Sequence, residues 1–258
     1  MAPINRSYGC FINRGSNITI VSPASVIDYG IGWFCYYIAK FGGFNYISKD
    51  IEADMTDTDS FYSLLPQPKA DGQLREFYEQ NPTVYADELE LLDKKQQLRD
   101  DYLADLKQVS GEGKWVIVCM ERVKNSRNTM DISLVDNSRE GDQPTVDDVE
   151  GLTRLIDELN RLFHLPPYDA ENVREVAHNV LFPIGKRNIT RVIRQELDAP
   201  HTNAVVMNLD SHMINFDIRR SVSVYLIAEA IRKTIAPESR ATDEDIHKFA
   251  QPGSGYVN

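Results

Sequence analysis

Apolar runs and helix-like stripes alternate along this chain, and their alternation predicts its secondary structure. Short runs of apolar or β-branched residues, which favour strands, occur at 17–21, 44–47, 115–120, 130–135 and 204–209. Apolar residues recur at helical spacing at 26–41, 87–109, 145–163, 188–197 and 221–235. Because strands and helices alternate throughout, we predict an α/β fold, a three-layer α/β/α sandwich around a mostly parallel or mixed sheet.

Two of the predicted helices carry recognisable end signals. Gly42 and Gly43 follow the first helix, and glycine commonly ends a helix. Thr145 is the predicted N-cap of the helix that ends at Phe163. The apolar residues of this helix that we expect to face inward are Val146, Val149, Leu152, Leu155, Ile156, Leu159 and Leu162.

The composition fits one globular domain. The chain has 258 residues, of which 42% are hydrophobic and 26% are charged, and this is enough to bury a sizeable core. No stretch rich in proline, glycine and serine divides the chain, and no internal repeat occurs. We therefore predict a single α/β domain over residues 1–258, with a loose C-terminal tail after about residue 237.

The charge balance narrows the set of partners. The formal net charge is -11 and the pI is about 5.0. Since an acidic protein repels phosphate backbones and anionic lipid, we expect no nucleic-acid partner and no membrane partner. The most apolar stretch, 31–44, contains Lys40 and is too short to span a bilayer. The first residues lack the apolar segment of a secretory signal, so we expect a cytoplasmic protein.

Several familiar kinds of site are missing from the sequence. The three cysteines are widely separated and form no Cys-x-x-Cys pair, so Cys35 and Cys119, which lie in apolar runs, are expected to be buried small hydrophobic residues. There is no phosphate-binding glycine loop, dinucleotide fingerprint, serine nucleophile elbow or His-Glu-x-x-His motif. These observations argue against the common nucleotide-binding, serine-hydrolase and zinc-protease classes.

Charged and amide side chains follow the apolar run at 115–120. These residues are Glu121, Arg122, Asn125 and Arg127. Ligands of open α/β sheets bind beyond the carboxyl ends of the strands, so a site is expected here. A carboxylate can act as a general base, and an arginine can hold a substrate carboxylate with two hydrogen bonds. The alternative is a pair of structural ion pairs, Glu121 with Arg122 and Arg127 with Asp131.

A second polar group follows the apolar run at 204–209. Asp210, Ser211 and His212 come directly after it, and an aspartate can orient an imidazole for acid–base catalysis or share a metal with it. The alternative is an ordinary solvated loop histidine. A metal site built from His178, His201 and His212 would require the fold to bring three distant segments together.

The long helix at 87–109 is rich in charge, with a leucine stripe of roughly helical period. Its charged residues are most simply a solvated face. The helix is also a candidate lid or dimer contact, so a homo-oligomer formed through it is a possible assembly.

The order of elements resembles that of the N-formylglutamate amidohydrolase family. That family has a turn with a metal histidine after the first strand, and here Ser22-Pro23-Ala24-Ser25 stands at that place. It has a second such turn after a later buried strand, where this chain has Val118-Cys119-Met120-Glu121. Asp28-Tyr29-Gly30 stands near the Asp-containing helix start that follows the first turn in the family. Residues 125–132 resemble the strand after the second turn, which holds an Asp near the site in the family, and 203–215 is similar to the late strand that bears the family's Glu. The resemblance implies a zinc-carboxypeptidase-like α/β fold, and it adds Asp28 to the candidate site.

The resemblance also departs from the family at the metal ligands. Ala24 and Met120 occupy the two histidine positions, so we expect no family-type zinc, and the cofactor is left open. The resulting hypothesis is a hydrolase-like protein that binds or cleaves a small acidic amide or amino-acid derivative. The alternative is a non-catalytic binding or regulatory protein on an old hydrolase scaffold. The predicted catalytic residues are Glu121, Asp210 and His212, and the predicted ligand-binding residues are Arg122, Asn125, Arg127, Asp131 and Asp28.

Overall fold

The structure, a computed structural model, describes most of the chain in separate stretches. The described residues are 4–23, 29–49, 68–122, 130–133, 135–136, 143–163, 177–179, 193–194, 197–210, 214 and 217–236. None of the helices within these stretches combines the length and the apolar character needed to cross a membrane.

Ten strands are described, and eight of them form one mixed sheet. They are β1 (Ile4–Arg6), β2 (Gly9–Ile12), β3 (Ile18–Ser22), β4 (Asn45–Lys49), β5 (Trp115–Arg122), β6 (Met130–Ser133), β7 (Val135–Asp136), β8 (Gln143–Pro144), β9 (Ala177–Asn179) and β10 (Asn203–Asp210). The sheet has the order β1-β2-β4-β3-β5-β10-β6-β9, while β7 and β8 pair separately.

The middle of the sheet is parallel and its flanks are antiparallel. The neighbouring strands β4, β3, β5 and β10 run parallel to one another, whereas β2 and β6 run antiparallel to them. Along β5, Ile117 belongs to the core on one face and Val118 to the core on the other. Parallel strands that are covered on both faces carry near-continuous apolar runs, which is why these segments could be recognised in the sequence.

Helices cover both faces of the sheet. They are α1 (Tyr29–Gly42), α2 (Pro68–Tyr78), α3 (Ala86–Val109), α4 (Val149–Phe163) and α5 (Asp217–Thr234). One core contains Phe34 of α1, Leu155 of α4 and Ile227 of α5. The second core, on the opposite face, contains Tyr102 and Leu106 of α3. The predicted three-layer α/β/α architecture is therefore confirmed.

The first helix ends at glycine as expected. Gly43 has φ 71°, a left-handed conformation in which glycine avoids the strain of a Cβ atom. The backbone N–H of Phe44 donates to the carbonyl of Ala39 at 2.8 Å, which closes the helix end. The chain then enters β4 directly, so the turn fixes how α1 packs on the sheet.

The start of α4 differs from the prediction. Thr145 does not cap this helix, because α4 begins at Val149 and the Thr145 hydroxyl donates instead to the carbonyl of Ala204 in β10. The capping acceptor is Asp148, whose Oδ1 accepts the backbone N–H of Gly151 at 2.8 Å. Val149 is 53% exposed and does not face inward, because it lies at the solvent side of the first turn. The remaining residues expected to face inward are buried or packed on the core: Val146, Leu152, Leu155, Ile156, Leu159 and Leu162.

Several elements lack a strong sequence pattern. The hairpin of β1 and β2, the short strand β9 and the helix α2 were not expected from the sequence. The helix predicted at 188–197 and the tail predicted after residue 237 lie largely or wholly outside the described residues.

Candidate functional site

The chain changes its direction of winding between β3 and β5. From β3 it passes through α1 to β4, and it then returns through α2 and α3 to β5, which lies on the other side of β3. In open α/β sheets, a crevice for ligands forms at such a point, beyond the carboxyl ends of the strands. We call the carboxyl ends of β4, β3, β5 and β10, together with the start of β6, the carboxyl edge, and we take it as the candidate site.

Predicted site residues from three strands meet at the carboxyl edge. Arg122 and Asp210 are the last residues of β5 and β10, and they pair in register. Glu121 precedes Arg122 on β5, and Asp131 pairs with Asn208 because β6 runs antiparallel to β10. Neighbouring strands are about 4.8 Å apart, so the backbones of these residues lie close together at the carboxyl edge.

The strand β5 is two residues longer than the apolar run that predicted it. Glu121 and Arg122 do not follow the strand but end it, because the ladder with β10 continues to Asp210. The expectation that these residues lie just beyond the strand is corrected by this register. The correction places them on a paired, hydrogen-bonded backbone, and such a backbone positions a binding residue better than a loop does.

Four predicted site residues lie outside the described residues. They are Asp28, Asn125, Arg127 and His212. Each belongs to a segment that directly follows a strand of the carboxyl edge, since 24–28 comes after β3, 123–129 after β5 and 211–213 after β10.

Lys49 is a site candidate that the sequence analysis missed. It is the last residue of β4, next to the end of β3, where Ser22 pairs with Ser48. The side chain is half-buried, and burial lowers the pKa of its ammonium group from the ordinary value. No carboxylate among the described residues offsets this effect. A desolvated cation at the end of a strand is a natural binding group for a ligand anion.

His201 is engaged at the opposite edge of the sheet. It precedes β10, and its Nδ1 lies 2.9 Å from Oδ2 of Asp147, whose Oδ1 accepts a hydrogen bond from Arg194 at 2.8 Å. Both contacts lower the pKa of Asp147, and the hydrogen bond from Arg194 has the larger effect. Asn203 accepts the backbone N–H of Asp147 at 2.8 Å, so the group holds the start of β10.

The two candidate metal histidines that the structure describes, His178 and His201, do not come together. His178 lies on β9 and pairs with Ile132, which in turn pairs with Met207 in the middle of β10. His201 instead lies before the first residue of β10. A metal site that uses both is therefore ruled out by the register. Within the described stretches, no group of three or more His, Cys, Asp or Glu side chains could hold a metal ion.

The residues at the two family metal positions do not suit zinc. Alanine has no ligand atom, so Ala24 cannot bind a metal through its side chain. Met120 packs partly buried against the second core, and a thioether is a poor zinc ligand. Cys119, beside it, is 1% exposed within the first core, which confirms that it is a structural hydrophobic residue. Zinc chemistry of the family type therefore has no support from these residues.

Comparison with known proteins gives no family for this chain. No family model, no curated protein and no solved structure matches it. The structural argument for a function accordingly rests on the α/β fold and the residues at the carboxyl edge.

Proposed function

We propose that the protein binds a small acidic amide or amino-acid derivative at the carboxyl edge. The observation that carries this proposal is the register of Arg122 with Asp210 at the ends of β5 and β10, beside the point where the winding reverses. An arginine offers a planar pair of donors for a carboxylate, and an aspartate accepts from an amide or ammonium group. The two residue types together match the two ends of such a ligand.

The cationic side of the carboxyl edge supports a carboxylate-bearing ligand. Lys49 at the end of β4 adds a second positive charge, and its lowered pKa reflects an ammonium group that has lost part of its hydration. The helix α1 follows β3 in the chain and packs on the sheet, so its amino-terminal end lies at the same edge. The amino-terminal end of a helix favours negative charge. A ligand anion near Lys49 would restore the solvation that burial removes.

Hydrolysis is the reaction that we propose for this site, on the basis of the resemblance to the N-formylglutamate amidohydrolase family. In that proposal Glu121, Asp210 and His212 supply the acid–base groups, and Arg122, Asn125, Arg127, Asp131 and Asp28 bind the ligand. The three-layer architecture agrees with the fold that the resemblance implies. The expected cytoplasmic location and the expected absence of nucleic-acid and membrane partners remain predictions based on the net charge of -11.

A second candidate function is binding without catalysis. Met120 favours it, because the position that bears a metal histidine in the family is filled here by a side chain packed on the core. A hydrolase that lost its metal ligands while it kept its ligand-binding arginine would become a binding or regulatory protein.

Calorimetric titration tests the binding step. N-acyl amino acids, the corresponding neutral amides without a carboxylate, and the free amino acids are titrated into the purified protein. We expect N-acyl amino acids to bind and the neutral amides to give no heat. If none of the carboxylate compounds binds, the proposal is wrong.

A second assay separates the two candidate functions. The same N-acyl amino acids are incubated with the protein, with and without added zinc, and released amine is measured. Release of amine supports the hydrolase, whereas binding without release in either condition supports the non-catalytic protein.

A further inference from the structure

We propose that a second copy of this chain docks on the exposed face of α3, with the two α3 helices antiparallel and Leu91 at the centre of the contact. This inference concerns assembly and is independent of the proposed function. It rests on how α3 is anchored, on which of its residues are exposed, and on the order of charges along its exposed face.

The carboxyl-terminal half of α3 is fixed to the sheet. Tyr102, Leu106 and Val109 belong to the second core. The buried Asp105 accepts two hydrogen bonds from Arg6 of β1, at 2.7 Å and 2.8 Å. The helix is therefore held rigidly at this end, and its other half is presented to the surroundings in a defined direction.

The amino-terminal half of α3 is covered far less. Of residues 86–98, Leu92 alone is buried, and α2 packs against this half of α3, where Arg75 of α2 pairs with Asp93. Leu91 is 42% exposed in the middle of this half, and Val84, just before the helix, is 70% exposed. Leu91 is therefore an apolar side chain of α3 that the described residues leave partly uncovered.

The charges on this face are arranged for self-association. Glu88 and Asp87 lie one turn before Leu91, and Lys94 and Lys95 lie one turn after it, so all of them share one side of the helix with Leu91. In an antiparallel pair of α3 helices with a two-fold axis at Leu91, a residue that lies n positions before Leu91 in one copy contacts the residue n positions after Leu91 in the other copy. Glu88 then meets Lys94 of the second copy, and Asp87 meets Lys95.

Leu98 continues the same side of α3 toward the sheet. It lies two turns after Leu91 and is partly buried against the second core. Val84 precedes the helix, so the two-fold rule does not place it. A two-fold contact uses the same patch on both copies, and this face is complementary to itself in both charge and polarity.

Within one chain Lys94 already pairs with Glu90, at 2.6 Å. That pair is on the surface, where one ion pair contributes little, and it leaves the ammonium group free to contact a second carboxylate. Glu88 of the second copy is then a further acceptor, so the contact between copies does not require the pair within the helix to break.

Sedimentation equilibrium of the full chain measures the proposed association. We expect a dimer for the wild type, and we expect Leu91→Asp to shift the population to monomer. Val149→Asp is the matched control, because Val149 is 53% exposed but lies on α4, and it should leave the dimer intact. Circular dichroism of each variant checks that the fold is retained. A wild type that stays monomeric up to about 100 μM, or a dimer that Leu91→Asp leaves unchanged, overturns the proposal.

Charge reversal identifies the second copy as the partner. Glu88→Lys alone and Lys94→Glu alone each place like charges opposite one another and should weaken the homodimer by about tenfold or more. In a mixture of these two variants, the heterodimer has opposite charges at both positions, so dimerisation should return. If the mixture stays monomeric while each variant is folded, the antiparallel register is wrong.

Discussion

The rings of Tyr8 and Tyr102 contact each other edge to face, with centroids 4.9 Å apart, yet their hydroxyl groups have opposite surroundings. The hydroxyl of Tyr8 donates to Asp105 at 2.7 Å. The hydroxyl of Tyr102 is buried and has no hydrogen-bond partner among the described residues. Burial raises the pKa of both phenols, and for Tyr8 the hydrogen bond to Asp105 adds to the effect.

This difference predicts opposite results for the same substitution. Tyr8→Phe removes a hydrogen bond to a charged acceptor and should lower the free energy of unfolding by about 1.5–3 kcal/mol. Tyr102→Phe removes a buried hydroxyl that gains nothing from burial, so it should leave stability unchanged or raise it by about 1 kcal/mol. Urea denaturation of the two variants is the measurement. Equal destabilisation by both would mean that the hydrogen bond to Asp105 contributes nothing specific.

Lys49 should limit stability at neutral pH. Its pKa is lower in the folded protein than in the unfolded chain, because burial disfavours the charged ammonium group. Below the folded pKa the group is charged in both states, and the full cost of burying the charge then lowers stability. This cost disappears as the pH rises from the folded pKa toward the ordinary value of 10.5. Lys49→Met should therefore melt above wild type at neutral pH, with a difference that shrinks in alkali.

The control for this prediction is Lys107→Met. Lys107 is exposed in the last turn of α3, so its substitution removes a lysine without removing a buried charge. Lys49→Met should also weaken ligand binding, because it removes a cation from the carboxyl edge. If Lys49→Met is less stable than wild type at neutral pH, the proposal that burial of the Lys49 charge costs stability is wrong.

Asp147 predicts a pH dependence in the acid range, where the gap between variant and wild type should close. Arg194 and His201 lower its pKa in the folded state below the ordinary 3.8, so its contribution to stability is complete above that value and is lost as the pH falls through the folded pKa. Asp147→Asn should therefore destabilise the protein near neutral pH and approach the wild type in strong acid. Chemical denaturation across the acid range measures the difference, and a constant gap at every pH would show that Asp147 acts only through uncharged contacts.

Much of the fold could be predicted because its central strands are buried on both faces. The run at 115–120 is apolar at every position, since one face packs on α1 and α5 and the other on α3. The hairpin of β1 and β2 could not be predicted in the same way. All residues of β1 are exposed, so it has no apolar alternation, and it is held by Arg6 pairing with the distant Asp105.

The site could be predicted only as far as strand ends can be located in a sequence. Glu121, Arg122 and Asp210 were found because they follow apolar runs, but their pairing depends on β10 being the neighbour of β5. Lys49 was missed for the same reason. Its importance depends on the position of β4 beside β3 and on the degree of burial, and both come from contacts between distant segments.

The central claim, that a carboxylate ligand binds at the carboxyl edge, is tested most directly at Arg122. Calorimetric titration of an N-acyl amino acid is compared between wild type, Arg122→Lys and Arg154→Lys, an exposed control on α4. Because lysine cannot reproduce a two-donor contact with a carboxylate, Arg122→Lys should weaken binding by about 10-fold to 100-fold. Its melting temperature should stay close to that of wild type, and Arg154→Lys should bind normally. Unchanged affinity in Arg122→Lys, with the ligand still bound, would contradict the account.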